Sequence, residues 1–183
     1  MSELSFGQRI DPESGLVQPW FTHGALDKIA AMDLSEKVVW MWGAGRGDIW
    51  LAKRCKELHV VEREQKWIYD SLELATPNGV TNLWYYHRPC ADCSGMDAMY
   101  CEIHNDIKPD VIIVDDAYRY ECIVKALEYK PCTLIIDNWM QAFVFMCPAG
   151  VELLKDYPQE IFEQADHEHH DGVNKWKTAI FYL

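Results

Sequence analysis

Apolar residues fall along this chain in short runs separated by polar turns and amphipathic stretches, a pattern that predicts strands alternating with helices. The run at residues 38–42 is apolar throughout, which is typical of a parallel strand buried on both faces. Other strands are predicted at residues 58–61, 82–86, 110–115, 131–136, 161–164 and 176–183. Helices are predicted at residues 25–32, 64–75, 118–129 and 151–155, and another is predicted to begin at Ile49 and end among the cations at residues 53–56.

Strands that alternate with helices predict an α/β fold with a doubly wound, Rossmann-like, mostly parallel sheet. The chain has 183 residues, which suits a single domain over residues 1–183. Residues 1–35 are predicted to form an N-terminal arm and helix, and residues 88–109 interrupt the pattern as an insertion between two strands. Within the arm, Pro19, Trp20 and Phe21 either plug the sheet edge or form a lid over a ligand pocket.

The stretch from residue 37 to residue 67 carries the clearest chemical signal. Gly43, Gly45 and Gly47 follow the first strand, and glycines there permit a tight turn and let a ligand lie against bare backbone. Glu62 ends the next strand, about 20 residues after Gly43. Ligands of open parallel sheets bind beyond the carboxyl ends of the strands, and an acid at this spacing accepts both hydroxyls of a ribose. The stretch therefore predicts a nucleoside pocket.

The residue at the sixth position of the turn narrows the choice of nucleoside. A dinucleotide-binding turn would have glycine there, and this chain has Asp48. Because a carboxylate at a helix start repels a pyrophosphate, the sequence disfavours a nicotinamide-dependent oxidoreductase. The GxGxG turn resembles the first motif of class I S-adenosylmethionine-dependent methyltransferases, whose cofactor has no phosphate and carries a cationic sulfonium.

This resemblance extends over most of the chain. It rests on the segments PWFT, VVWMWGAGRGDIWLAKR, HVVEREQKW, DVIIVDDAYR, LIIDN and KTAIFYL. It implies a sheet of about seven strands with an antiparallel C-terminal hairpin, and S-adenosylmethionine as the cofactor. Two positions depart from the family pattern. Met41 stands where such proteins carry an acid that supports the methionine end of the cofactor, and Gly47 and Asp48 stand where they carry Ser-Thr. Asp48 is a candidate to replace part of the lost charge.

The turn, the strand ends and the resemblance together nominate the site residues. The candidate cofactor-binding residues are Gly43, Ala44, Gly45, Gly47, Asp48, Glu62, Arg63, Trp67, His87 and Asp115. The candidate catalytic residues are Asp115, Asp137 and Asn138, which end neighbouring central strands. The alternative is that such acids cap helices or bond their own loops, and that Trp67 packs in the core. Methyl transfer is an in-line displacement, so orientation and desolvation supply much of its acceleration.

The insertion suggests a metal site as well. Cys90 and Cys93 are followed by Cys101 and His104, a set that could form a tetrahedral Cys3His zinc site. The alternative is free cysteines in an irregular loop, because the CxxH form and the short separation differ from a standard zinc finger.

Composition limits the classes of molecule that the protein is expected to bind. The net charge of −12 repels nucleic acid backbones and anionic membranes, so a small-molecule or peptide acceptor is predicted. The N-terminal residues lack a signal pattern, and several of the seven cysteines lie in apolar segments, which together indicate a cytoplasmic protein. The predicted function is an S-adenosylmethionine-dependent methyltransferase. The alternative is a methyltransferase-like binding protein that has lost catalysis and is stabilised by zinc.

Overall fold

The apolar run before the glycine turn forms an inner strand of a seven-stranded sheet. The computed structural model describes residues 8–90, 98–116, 118–139, 148–165 and 175–183. The strands within these ranges are β1 (Val38–Trp42), β2 (Glu57–Glu62), β3 (Leu83–His87), β4 (Val111–Val114), β5 (Thr133–Asp137), β6 (Gln159–Ala165) and β7 (Lys175–Tyr182). Their spatial order is β3-β2-β1-β4-β5-β7-β6. β7 runs antiparallel to β5 and β6, and the other neighbours are parallel. The predicted mostly parallel sheet with an antiparallel C-terminal hairpin is therefore confirmed.

Helices cover both faces of this sheet. They are α1 (His23–Ala31), α2 (Asp48–Ala52), α3 (Gln65–Ala75), α4 (Ala98–Cys101), α5 (Arg119–Ala126) and α6 (Pro148–Leu154), with a 3-10 turn at Leu127–Tyr129. Apolar side chains of α1 and α2 pack on one face, and those of α5 and α6 pack on the other. Helix α4 lies inside the predicted insertion, part of which therefore has regular structure.

Strand β1 shows why its sequence is apolar without interruption. Val39 and Met41 face the core cluster that contains α1 and α2, whereas Trp40 and Trp42 face the cluster that contains α5. An inner parallel strand has helices above and below it, so both sets of alternating side chains are buried away from water. The same arrangement buries all four residues of β4.

Helix α2 is shorter than the sequence predicts. It ends at Ala52, so Lys53 and Arg54 lie beyond it rather than in its last turn. The side-chain amide of Asn82 donates to the carbonyl oxygens of Ala52 and Cys55, at 2.9 Å each. A partner from just before β3 thus satisfies backbone groups that a longer helix would have bonded itself, and the chain turns into β2.

None of the helices within the described residue ranges has the length and apolar character needed to cross a membrane.

The turn after β1 requires glycine at position 43. Gly43 has φ of +100°, and its backbone N–H donates to the Val61 carbonyl oxygen at 2.9 Å. A Cβ atom at this position would lie closer than 3.0 Å to the backbone carbonyl of Asp115. The turn therefore passes directly against the end of β4, and no side chain fits between them.

Gly43→Ala is expected to lower the free energy of unfolding by at least about 3 kcal/mol, because it combines an unfavourable φ with a backbone clash. Gly79→Ala is the matched control. Gly79 also has a positive φ, of +63°, but a Cβ atom there would meet nothing within 4 Å, so its cost should be about 1 kcal/mol. Urea denaturation of both variants measures the difference. Equal losses would contradict the close approach at residue 43.

Candidate functional site

A cavity of about 260 Å³ lies beyond the carboxyl ends of β1, β2 and β4. Its lining residues are Gln8, Pro19, Trp20, Met41, Gly43, Ala44, Gly45, Arg46, Gly47, Asp48, Glu62, Arg63, Glu64, Trp67, Asp115 and Asp116. The structure thus brings together all the candidate cofactor-binding residues except His87. Ligands of parallel α/β sheets bind at this edge, so the cavity is the candidate ligand site.

The glycine turn forms the floor of the cavity, and two of its glycines have different surroundings. A Cβ atom on Gly45 would meet nothing within 4 Å, so the backbone there borders open space. A Cβ atom on Gly47 would instead lie closer than 3.0 Å to the backbone of Pro19. Gly45 therefore leaves room for a ligand, whereas Gly47 leaves room for the N-terminal arm.

Asp48 holds the turn in shape. The backbone N–H of Gly45 donates to both carboxylate oxygens of Asp48 at 3.1 Å, and the Tyr85 hydroxyl donates to one of them at 2.9 Å. The Ser71 hydroxyl donates to the Gly45 carbonyl oxygen at 2.8 Å, which fixes the other end of the same residue. Burial raises the pKa of Asp48 to about 7. The hydrogen bonds of the Asp48 side chain are therefore made within the protein.

Glu62 occupies the position predicted for the ribose acid, and it also bonds the backbone. One carboxylate oxygen accepts from the Ala44 N–H at 2.7 Å, and the other accepts from the Glu64 N–H at 2.6 Å. Burial raises the pKa of Glu62, and the hydrogen bonds from these two backbone N–H groups oppose that shift. A carboxylate oxygen can accept more than one hydrogen bond, so each oxygen keeps capacity for a ligand hydroxyl.

The end of β4 adds two neighbouring acids with different surroundings. Asp116 accepts from Arg63 Nε at 3.1 Å and from the Tyr100 hydroxyl. Asp115 lies 3.4 Å from Arg119 Nη2, and its side chain remains 27% exposed. Burial raises the pKa of Asp115 well above its ordinary value, and the neighbouring Asp137 raises it further.

Asp137 and Asn138 do not line the cavity. The Asp137 carboxylate accepts from Trp176 Nε1 at 3.1 Å and from the Thr178 hydroxyl at 2.6 Å, which ties β5 to β7. Burial raises the pKa of Asp137 to about 7. Asn138 accepts from Arg119 Nη2 at 2.8 Å. Both side chains are thus engaged by partners outside their own loop, Asp137 by β7 and Asn138 by the first residue of α5.

Aromatic residues surround the opening. Trp67 lines the cavity with 39% of the residue exposed, and Trp20 lines it with its ring edge-on to Trp176 at 6.1 Å. Phe21 is buried in the core. Within the arm, Phe21 thus packs in the core and Trp20 borders the cavity, and the lid stays a prediction. His87 is exposed, outside the cavity lining, with Nε2 3.2 Å from the Arg63 carbonyl oxygen.

The zinc prediction is not supported. No group of three or more His, Cys, Asp or Glu side chains among the described residues could hold a metal ion. Cys101 is buried with its sulfur 3.6 Å from that of Cys122. Nε2 of His104 lies 3.4 Å from a nitrogen of the Arg88 guanidinium, and this positive group occupies the position that a metal ion would need. Cys93 lies outside the described residues, and the structure does not bring Cys90, Cys101 and His104 together as ligands.

Sequence reasoning missed the residues that support the turn. Ser71 faces inward on α3 together with Ile68 and Ala75, and a serine within an apolar helical stripe is a signal that could have drawn attention to it. Tyr85 gives no such signal, because aromatic residues are common in strands.

Comparison with known proteins places this geometry in context. No protein-family model matches the chain, and no curated protein sequence matches it. Solved structures do match. Precorrin-6y C5,15-methyltransferase from Geobacter metallireducens is 14% identical with a TM-score of 0.61, over 94% of this chain and 95% of that chain. An rRNA methylase from Streptococcus thermophilus is 13% identical with a TM-score of 0.62, over 88% and 96%.

A third structure contains a bound nucleoside. The N-methyltransferase NodS from Bradyrhizobium japonicum, in complex with S-adenosyl-L-homocysteine, is 13% identical with a TM-score of 0.63, over 87% of this chain and 85% of that chain. Likeness at these identities concerns the fold. The chain has the fold of the class I S-adenosylmethionine-dependent methyltransferases, as the resemblance of its motifs implied.

The pKa of Asp48 predicts how stability depends on pH. A carboxyl with a pKa of about 7 when folded and an ordinary value of 3.8 binds its proton more tightly in the folded state. Stability should therefore fall as the pH rises from about 4 to about 7. Asp48→Asn cannot titrate, so its melting temperature should fall less steeply across this range. Asp106→Asn, at an exposed aspartate, should keep the wild-type slope. A wild-type slope in Asp48→Asn would show that Asp48 is ionised throughout.

Proposed function

We propose that this protein binds S-adenosylmethionine and transfers its methyl group to a small-molecule or peptide acceptor. The observation that carries the proposal is the position of Glu62. Its carboxylate lines the cavity together with the Gly45 backbone. Hydrogen bonds from two backbone N–H groups hold it, and each oxygen can still accept a further hydrogen bond. A ribose presents two adjacent hydroxyl donors, which suits a carboxylate fixed in this way.

The charge around the cavity favours a cationic ligand. Five of the described lining residues are acids and two are arginines. One of those arginines, Arg63, is paired with Asp116 at 3.1 Å and Glu64 at 3.4 Å. S-adenosylmethionine carries a positive sulfonium and no phosphate, and an acid-rich lining suits such a ligand better than an anionic one.

The same contacts weigh against a dinucleotide. A pyrophosphate needs backbone N–H groups of the glycine turn as donors. Here the Ala44 N–H already donates to Glu62, and the Gly45 N–H already donates to Asp48. Phosphate oxygens would meet two carboxylates in place of free amides.

We propose that the protein accelerates the reaction by orienting the cofactor relative to the acceptor. When bound, the cofactor supplies an electrophilic methyl group on a sulfonium. The turn and Glu62 would fix the nucleoside, and Trp67 would cover the base. The cavity between Trp20 and the strand ends would exclude water, which strengthens the attraction between the acceptor and the methyl carbon.

A second candidate function is a binding protein that uses the same pocket without catalysis. Met41 favours it, because a buried thioether lines the cavity where related methyltransferases carry an acid. Incubation with S-adenosylmethionine and mixtures of small amines, alcohols, thiols and peptides separates the two. Formation of S-adenosylhomocysteine that depends on an acceptor supports transfer. Tight cofactor binding without product in any mixture supports the binding protein.

Calorimetry with S-adenosylmethionine, S-adenosylhomocysteine and NAD tests the cofactor. The first two should bind, and NAD should not. Glu62→Gln should weaken S-adenosylhomocysteine binding by about 10- to 100-fold, because a charge-assisted bond to the ribose is lost. Glu36→Gln is the matched control, at an exposed glutamate before β1, and should bind as the wild type does. Equal affinity of Glu62→Gln and wild type, or preference for NAD, would contradict the proposal.

A further inference from the structure

The cavity lacks an acid at the position where related methyltransferases have one. Met41 is on β1, two residues before Gly43, and its side chain borders the cavity. A thioether is uncharged and only a weak hydrogen-bond acceptor, so it cannot pair with an ammonium group. The amino-acid end of the proposed cofactor carries such a group, which needs a partner from elsewhere in the chain.

Of the five acids among the described lining residues, two are fully engaged by donors of the protein. Asp48 is buried and uses its oxygens to accept from the Gly45 N–H and the Tyr85 hydroxyl, so its carboxylate serves to hold the turn. Asp116 is bonded by Arg63 and Tyr100.

Two others lie on the β2 side of the cavity. Glu62 is placed to hold the ribose through its remaining capacity. Glu64 follows it at the rim, 3.4 Å from Arg63, with a side chain that is half exposed. Neither is directed by these contacts toward the β1–β4 side, where the acid of related proteins lies.

Asp115 differs from these four. Its carboxylate is partly exposed to the cavity, and Arg119 is its ion-pair partner at 3.4 Å, longer than a charge-assisted hydrogen bond. The Asp115 backbone N–H donates to the Trp42 carbonyl oxygen at 2.9 Å, and its own carbonyl lies directly against Gly43. The residue therefore adjoins the same turn as Met41, on the neighbouring strand of the sheet.

We propose that the Asp115 carboxylate binds the α-ammonium group of the cofactor's methionine portion and so takes over the task of the acid that Met41 replaces. This inference rests on the proposed cofactor. Arg119 is buried and donates to the Asp116 and Asp137 carbonyl oxygens, which holds its guanidinium behind Asp115. The other carboxylates nearby repel an ionised Asp115, and an ammonium ion in the cavity would relieve that repulsion.

Two ligands that differ in this group test the inference. S-adenosylhomocysteine carries the ammonium group, whereas 5′-methylthioadenosine has the same nucleoside and thioether but no amino-acid chain. Asp115→Asn keeps the shape of the side chain and removes its charge. Calorimetry should show S-adenosylhomocysteine bound about 10- to 100-fold more weakly by this variant, and 5′-methylthioadenosine changed by less than about threefold.

Three controls make the outcome decisive. Asp106→Asn removes the same charge from an exposed site and should leave both affinities unchanged. Asp48→Asn should change both affinities by the same factor, because Asp48 shapes the turn. Melting curves show whether each variant is folded. Equal changes for both ligands in Asp115→Asn, or no change, would overturn the role of Asp115 while leaving the proposed cofactor standing. Failure of the wild type to bind either ligand would overturn both.

Discussion

The contact between the Gly43 turn and the end of β4 is the constraint on which the candidate site depends. With φ of +100° and no side chain, Gly43 lets two strand ends approach until one backbone rests on the other. The turn is then held from three sides, by Glu62 from β2, by Asp48 from α2 and by Ser71 from α3. Because these contacts fix the backbone around Gly45, the open space there is a property of the fold and needs no ligand to create it.

Carboxylates around the strand ends divide into structural and available groups, and the division depends on donors within reach. Asp137 accepts hydrogen bonds from Trp176 and Thr178, which come from β7. Asp115 has no comparable donors among its described contacts and keeps part of its surface in the cavity. Asp137 lies outside the cavity lining, so its hydrogen bonds stabilise the sheet, whereas Asp115 lines the cavity with one ion-pair partner and retains capacity to bind a ligand.

Periodicity was sufficient to predict the parallel part of the sheet, because an inner parallel strand such as β1 must be apolar on both faces, and the glycine spacing was sufficient to locate the cavity. The antiparallel hairpin was predicted from the family resemblance. The remainder depends on partners far away in sequence. Asn82 ends α2, Tyr85 engages Asp48, and Thr178 engages Asp137, and each partner comes from a different strand or its approach. The zinc site predicted from the cysteine spacing is not supported among the described residues, and a distant partner is again involved. The sulfur of Cys101 faces Cys122 on α5, a residue that its local motif does not include.

The close packing of Pro19 on Gly47 has a consequence for sequence variation. These two positions lie far apart along the chain, yet the backbone of one occupies the volume where the other would carry its first side-chain carbon. A residue with a side chain at 47 would therefore force the backbone at 18 and 19 onto a different path. The course of the arm and the composition of the glycine turn are therefore coupled, and a change in either one alters the wall of the cavity that both residues line.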